Sequence, residues 1–132
     1  MSNHYLIDTD ILYDHLIHND QKKRSFLTQL MTKGECFTTV LNASELFFSA
    51  KTEEHKIAVK KLLYALKVLG INSRYSLDVP NYSGKFKNYK ECLFYIIAEK
   101  NNLIIATNSP ERYDFGVVKT VTGRIRNSNS EK

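Results

Sequence analysis

The stretch Leu6-Ile7-Asp8-Thr9-Asp10-Ile11-Leu12 decides the fold. The apolar run from Tyr5 to Ile7 has the length of a short buried strand, and it stops at two carboxylates one residue apart. Ile11, Leu12, Leu16 and Ile17 then recur at helical spacing. A strand that ends in an acid and turns at once into a helix places that acid at the carboxyl end of a parallel sheet, the edge where α/β folds bind ligands. Asp8 and Thr9 are also favoured helix N-caps, so capping is the structural alternative for the same residues. Two acids at a buried strand end need positive charge nearby, and a divalent cation is the obvious candidate.

Outward from that stretch, the chain reads as alternating helices and strands. Asn19-Asp20 marks a break, and Asp20 is placed to cap a second helix running to Lys33, with Phe26, Leu27, Leu30 and Met31 on one stripe and Gly34 ending it. Lys22, Lys23 and Arg24 would then occupy the first turn, where the macrodipole disfavours cations. Either they form an ordinary solvated face or something other than helix stability places them. Residues 35–41 read as a second strand, and Asn42 with Glu45 has the spacing of a capping box, the structural alternative for Glu45. A further helix is expected from Glu53 or Glu54 to Leu69, ended by Gly70, with residues 71–77 as a short strand or extended crossing. Pro80, Ser83 and Gly84 argue for a turn or short helical piece, after which Lys85, Lys87 and Lys90 are interleaved with Phe86, Asn88 and Tyr89. Such a mixture can track a nucleic-acid backbone and stack on bases, or simply rim a loop.

Glu91 opens a segment that is apolar almost all round, Cys92-Leu93-Phe94-Tyr95-Ile96-Ile97-Ala98, as expected of a buried helix. Leu103-Ile104-Ile105-Ala106 has the continuous apolarity of a central parallel strand covered on both faces. Thr107-Asn108-Ser109-Pro110-Glu111 reads as strand end, N-cap and proline at the first helical position, and residues 117–121 as a last strand. The expected fold class is α/β, a three-layer α/β/α sandwich around a mainly parallel sheet. Residues 1–123 form its one domain, and residues 124–132 a polar, basic tail expected to be disordered.

A chain of 132 residues with 42% hydrophobic and 25% charged residues suits one soluble globular domain. The formal net charge of +5 is compatible with nucleic acid as an anionic partner without requiring it. Cys36 and Cys92 lie in apolar runs with no CxxC spacing, the pattern of buried free thiols in a reducing compartment. The first residues carry no basic-then-apolar leader pattern, and no apolar run approaches the roughly 20 residues needed to span a bilayer. A cytoplasmic protein is expected.

Strands ending at Asp8 and Thr107, with helices opening near Glu45 and Glu91, can bring these carboxylates to one sheet edge. Clustered carboxylates raise one another's pKa unless a cation neutralises them. Mg²⁺ or Mn²⁺ would do so and would activate water against a phosphodiester, while lysines and arginines hold the phosphate. At this point the chain resembles the PIN-domain ribonucleases, of the kind that serve as toxins in bacterial and archaeal toxin–antitoxin pairs. The likeness runs over residues 5–121. It rests on Leu6-Ile7-Asp8-Thr9-Asp10-Ile11-Leu12, on Thr38-Thr39-Val40-Leu41-Asn42-Ala43-Ser44-Glu45-Leu46, and on Leu103-Ile104-Ile105-Ala106-Thr107-Asn108-Ser109-Pro110-Glu111-Arg112-Tyr113.

The resemblance implies a metal-dependent endoribonuclease using Mg²⁺ or Mn²⁺, with Asp8 and Glu45 as the first two metal-binding acids. It further implies an RNA substrate, an antitoxin protein as partner and a possible homodimer. Glu91 stands where the family usually places an aspartate. Ser109 stands where many relatives carry a fourth acid, so it can hold a metal-bound water but supplies no charge, and Asp10 or Asp114 is the candidate to compensate. Thr107 and Asn108 support the site, and Lys85, Lys87, Lys90 and Arg112 are the candidate RNA-binding residues. Phe47-Phe48 and the apolar residues between Ile57 and Leu69 exceed what one core requires, as a partner-covered surface would. Two alternatives remain: a PIN-like module that binds RNA or a partner without cutting, and a phosphatase of the haloacid-dehalogenase type. The latter also opens on Asp-Thr-Asp but needs a different continuation from Ile11-Leu12 and a late lysine near an acidic pair.

Overall fold

Alternation along the first strand, β1 (Asn3–Ile7), divides the interior in two. Tyr5 and Ile7 enter one buried cluster, with Ile11, Leu12, Leu27, Leu30, Leu46, Val59 and Leu62. Leu6 enters the other, with Phe94, Tyr95, Ile97, Ala98, Ile105 and Tyr113. Successive side chains on a strand point to opposite faces, so a strand buried on both sides requires helices above and below it. The computed structural model, which describes residues 3–18, 23–114 and 116–123, shows this three-layer arrangement.

The helices α1 (Thr9–Leu16), α2 (Phe26–Lys33), α3 (Val40–Ser49) and α4 (Glu53–Tyr64) contribute to the first cluster, and α5 (Tyr89–Lys100) to the second. Between them lies a five-stranded sheet in which β2 (Gly34–Thr39), β3 (Lys67–Leu69), β4 (Ile104–Ala106) and β5 (Thr120–Val121) join β1 in the order β3-β2-β1-β4-β5. Every pairing is parallel. Because the order reverses at β1, the crossovers after β1 and β4 diverge and leave a crevice at the strands' carboxyl ends, the topological switch point of an open α/β sheet. Cys36 and Cys92 are free and buried, as expected. Among the described residues, no helix is long and apolar enough to cross a membrane.

Local capping explains where the elements depart from expectation. α2 begins at Phe26, because the Ser25 hydroxyl accepts the Thr28 N–H. Lys23 and Arg24 therefore precede the helix instead of occupying its first turn, and Asn19, Asp20 and Lys22 lie outside the described residues. β2 ends at Thr39, which caps α3 in a box completed by Asn42, so the expected pairing of Asn42 with Glu45 is replaced by Thr39 with Asn42. Glu45 is thereby released from a capping role. The helix expected to reach Leu69 stops at Tyr64, and Lys67–Leu69 instead pair with Phe37–Thr39 as the edge strand β3. Its leucines fit helical spacing as well as the sheet, and only the partner strand discriminates. The segment after it runs as a 3-10 helix, Ser73–Tyr82, not a strand. The expected tail, residues 124–132, lies outside the described residues.

Ile7 is fully buried on β1 between two parallel neighbours. Ile7→Ala should lower unfolding free energy by about 2–5 kcal/mol and Ile7→Val by about 0.5–1.5 kcal/mol, read from urea denaturation followed by far-UV circular dichroism.

Candidate active site

β1 hands Asp8 directly to the crevice. Its main-chain N–H donates to Ala106 O at 2.9 Å, extending the β1–β4 register by one residue past the strand. Its Oδ1 accepts the Thr9 N–H at 2.8 Å, so Asp8 does cap α1. Capping uses one oxygen only. Oδ2 faces the crevice, where it accepts from Thr107 Oγ1 at 2.9 Å and Tyr113 Oη at 3.4 Å, with Arg112 Nη1 at 3.8 Å. The structural and functional readings of Asp8 are thus both satisfied, by different oxygens.

Three further carboxylates meet it. Asp10 Oδ2 accepts from the Asn108 N–H at 3.1 Å and lies 3.3 Å from the same Thr107 hydroxyl. Glu45 is drawn in by a relay across two helices: Asn42 Nδ2 donates to Thr9 Oγ1 at 2.9 Å, and Thr9 Oγ1 donates to Glu45 Oε1 at 3.0 Å. Glu91, in the first turn of α5 behind the Asn88 cap, lies 3.9 Å from Arg112 Nη1. One guanidinium nitrogen therefore touches both Asp8 and Glu91, which holds those carboxylates within the span of the two contacts. All four acids line a cleft of about 280 Å³, together with Lys90 and Arg112.

The charge in this cleft is undercompensated. Burial, then the neighbouring Asp10, pushes the Asp8 carboxyl up to about 6, and burial also raises that of Asp10. Asp10 Oδ1 is buried without a hydrogen-bond partner. A buried carboxylate oxygen with nothing to accept from is a defect in a closed core but a ready ligand for a hard cation. Arg112 supplies partial compensation, but contacts of 3.8 and 3.9 Å are longer than a charge-assisted hydrogen bond of about 2.8 Å. Among the described residues, no three His, Cys, Asp or Glu side chains stand close enough together to hold one metal ion between them. What the cleft offers is paired carboxylate oxygens, a donor set suited to a hard divalent cation that keeps several waters and is bound through one or two carboxylates.

A family model for the PIN domain matches residues 5–112. The chain belongs to the PIN-domain family. Solved structures with the same fold include VapBC2 from Rickettsia felis bound to a promoter DNA fragment, at TM-score 0.77 and 13% identity, covering 92% of this chain and 99% of that one. DNA-bound VapBC from Salmonella typhimurium gives TM-score 0.74 at 14% identity, covering 92% and 98%. A toxin–antitoxin complex from Klebsiella pneumoniae gives 0.71 at 16% identity, covering 89% and 96%. No curated protein matches the sequence.

Within this PIN domain the expected site residues separate into two groups. Asp8, Asp10, Glu45, Glu91, Lys90 and Arg112 line the cleft, with Thr107 and Asn108 bonded to its acids. Lys85, Lys87, Ser109 and Asp114 do not line it. The Ser109 N–H bonds the Thr107 hydroxyl at 3.1 Å, and the chain then enters a 3-10 turn, Pro110–Tyr113, which brings Arg112 and Tyr113 to the cleft lining. Of the two acids expected as candidates to compensate, Asp10 lines the cleft and Asp114 does not. Thr9, Asn42 and Tyr113 escaped expectation as site residues. All three lie inside the motifs that carry the family resemblance, but nothing in the spacing distinguishes Tyr113 from a core aromatic.

Asp8 holds its proton more tightly folded than at its ordinary value of 3.8, so its contribution to stability falls as pH rises from about 4 through about 6. With metal removed by EDTA, the wild type should lose melting temperature across that range. Asp8→Asn, which keeps a favoured cap and removes the charge, should flatten the loss and be the more stable protein above pH 6. Thermal melts at stepped pH check this.

Proposed function

We propose that this PIN domain is a divalent-metal-dependent ribonuclease and the toxin of a toxin–antitoxin pair. The observation that carries the reading is the convergence of Asp8, Asp10, Glu45 and Glu91 in one cleft with an unpartnered carboxylate oxygen. Asp8, Glu45 and Glu91 would hold Mg²⁺ or Mn²⁺, with Asp10 completing the acidic wall. A bound ion of this type polarises a phosphodiester and makes its water a stronger nucleophile. The protein's own share is positional. Thr107 and the Thr9 N–H fix the two oxygens of Asp8, the Asn42–Thr9 relay orients Glu45, and Arg112 and Lys90 offer positive charge to a phosphate at the cleft mouth.

The toxin reading draws on neighbours that are toxin–antitoxin complexes and on apolar surface left uncovered. Phe48 is 94% exposed and Ile17 69%. Ile17 lines, with Tyr13, Leu16, Leu46, Ala50 and Val59, a mainly aliphatic groove of about 270 Å³, to which α3, the helix that carries Phe48, contributes Leu46. We assign this face to an antitoxin; a second copy of the chain is the alternative occupant. Light scattering of the isolated chain at high concentration should show self-association through the uncovered face, relieved by Phe48→Asp. A monodisperse monomer without dye-accessible apolar surface counts against a covered face.

The assay for the nuclease is cleavage of a mixed RNA pool with Mn²⁺, with EDTA, and with Asp8→Asn plus Mn²⁺. Cleavage should occur in the first and vanish in the other two. Undiminished cutting with EDTA or the variant overturns the mechanism. Mn²⁺-dependent stabilisation without any cleavage would instead support a non-cutting PIN-like module, the reading favoured by Ser109 at the position of a fourth acid.

A further inference from the structure

Lys23 and Arg24 are left unexplained by the fold and by the cleft. They stand just before α2, whose cap is already supplied by Ser25. No ion pair among the described residues engages either side chain, and both are exposed. Their main chain, in contrast, is fastened: His18 Nε2 lies 2.6 Å from Lys23 O, and Gln29 Nε2 donates to Arg24 O at 3.2 Å. The backbone is held and the charged ends are offered to solvent.

What they border is an open groove of about 950 Å³, more than three times the volume of the acid cleft, which His18, Phe26, Gln29 and Asn108 also line. The groove and the cleft share a wall. Asn108 donates its N–H to Asp10 on the cleft side and its side-chain Nδ2 to Asp14 Oδ2, at 2.7 Å, on the groove side. Asp10 and Asp14 are one turn apart on α1, about 6 Å along its axis. A single short strand can therefore occupy both. Asp14 is the groove's one acid among its described lining residues, and its carboxylate is engaged by Asn108, against the cations of Lys23 and Arg24.

We infer that this groove, with Lys23 and Arg24 as its phosphate contacts, carries the backbone of single-stranded RNA past the acid cleft. The inference rests on the ribonuclease reading for the choice of RNA. The division of labour is electrostatic: four carboxylates around the reacting phosphate repel the strand, so binding energy has to come from cations outside the cleft. Lys23 and Arg24 supply it from the groove that Asp14 lines, one turn of α1 beyond Asp10, where neither lines the acid cleft.

The test measures fluorescence anisotropy of a labelled mixed-sequence single-stranded RNA in EDTA, so that nothing is cut, using the full chain, Lys23→Ala/Arg24→Ala, and Lys60→Ala/Lys61→Ala. The last pair removes the same charge from exposed positions on α4. Loss of two phosphate contacts should make the slope of log K against log salt shallower by about 1.4 and weaken binding at 0.1 M salt roughly tenfold or more. The α4 pair should leave the slope nearly unchanged. Equal losses in both doubles would reduce the effect to net charge and overturn the inference, as would an unchanged slope in Lys23→Ala/Arg24→Ala. No RNA binding by the wild type, with binding of polyglutamate lost on Lys23→Ala/Arg24→Ala, would assign the groove to an acidic protein and overturn it too. Failure of metal-dependent cleavage with the slope difference intact would remove the nuclease and leave the groove.

Discussion

Everything at the crevice depends on placing an ionisable carboxylate, Asp8, where the sheet ends. Its residue is only 6% exposed, and it follows Ile7, which is fully buried. Burying a charge is costly unless it is hydrogen-bonded or neutralised. The fold meets that cost with donors drawn from distant parts of the chain: the Thr9 N–H, the Thr107 hydroxyl, Tyr113 and Arg112. Each donor fixes a segment. Thr107 ties the end of β4 to the end of β1, and Arg112 and Tyr113 bring the following 3-10 turn back over the same edge. The carboxylate organises the sheet's functional end as much as the sheet positions the carboxylate.

The compensation is deliberately incomplete in physical terms. A buried acid meant only to brace the fold would have its oxygens saturated and its pKa lowered by close partners. Here burial and Asp10 outweigh the donors, Asp8 is pushed up to about 6, and an Asp10 oxygen goes without a partner. Arg112 stands at a screening distance from two acids without a short hydrogen bond to either. An internal cation held this loosely steadies the cluster without saturating it, so on the proposed reading the same oxygens would remain available to a divalent ion. Stability is given up at the site, which is the expected pattern where local rules are broken for function.

Most of the architecture was legible in the sequence because it depends on periodicities with one interpretation. Leu103-Ile104-Ile105-Ala106 and the run from Cys92 to Ala98 are too apolar to be anywhere but inside, and the acid after Ile7 can only stand at a strand end. What was not legible depends on partners remote in sequence. Lys67–Leu69 form a strand only because Phe37–Thr39 lie open beside them. Thr39 displaces Asn42 as the cap because β2 stops two residues early, a choice among adjacent polar residues that spacing does not rank. In the site, the acids were readable from strand ends and helix starts. Their supporting hydroxyls and amides were not, since Thr9 looks like a cap and Asn42 like its own capping box until the relay to Glu45 is seen. The lining by Arg112 was not legible for the same reason: the 3-10 turn Pro110–Tyr113 brings Arg112, and not Ser109, into the cleft lining.

The net charge of +5 takes on meaning only through this geometry. Spread evenly, it would favour any polyanion weakly and specify nothing. Instead the negative charge is concentrated in one cleft by four side chains from α1, α3 and α5 and the end of β1, with Lys90 and Arg112 on its wall, while Lys23 and Arg24, in no ion pair among the described residues, stand outside it. A polyanion approaching such a surface is attracted at the periphery and repelled at the centre. On the proposed ribonuclease reading the acid cluster would act as a check on productive binding, the basic periphery providing affinity and a bound cation being needed before a phosphate could enter the cleft.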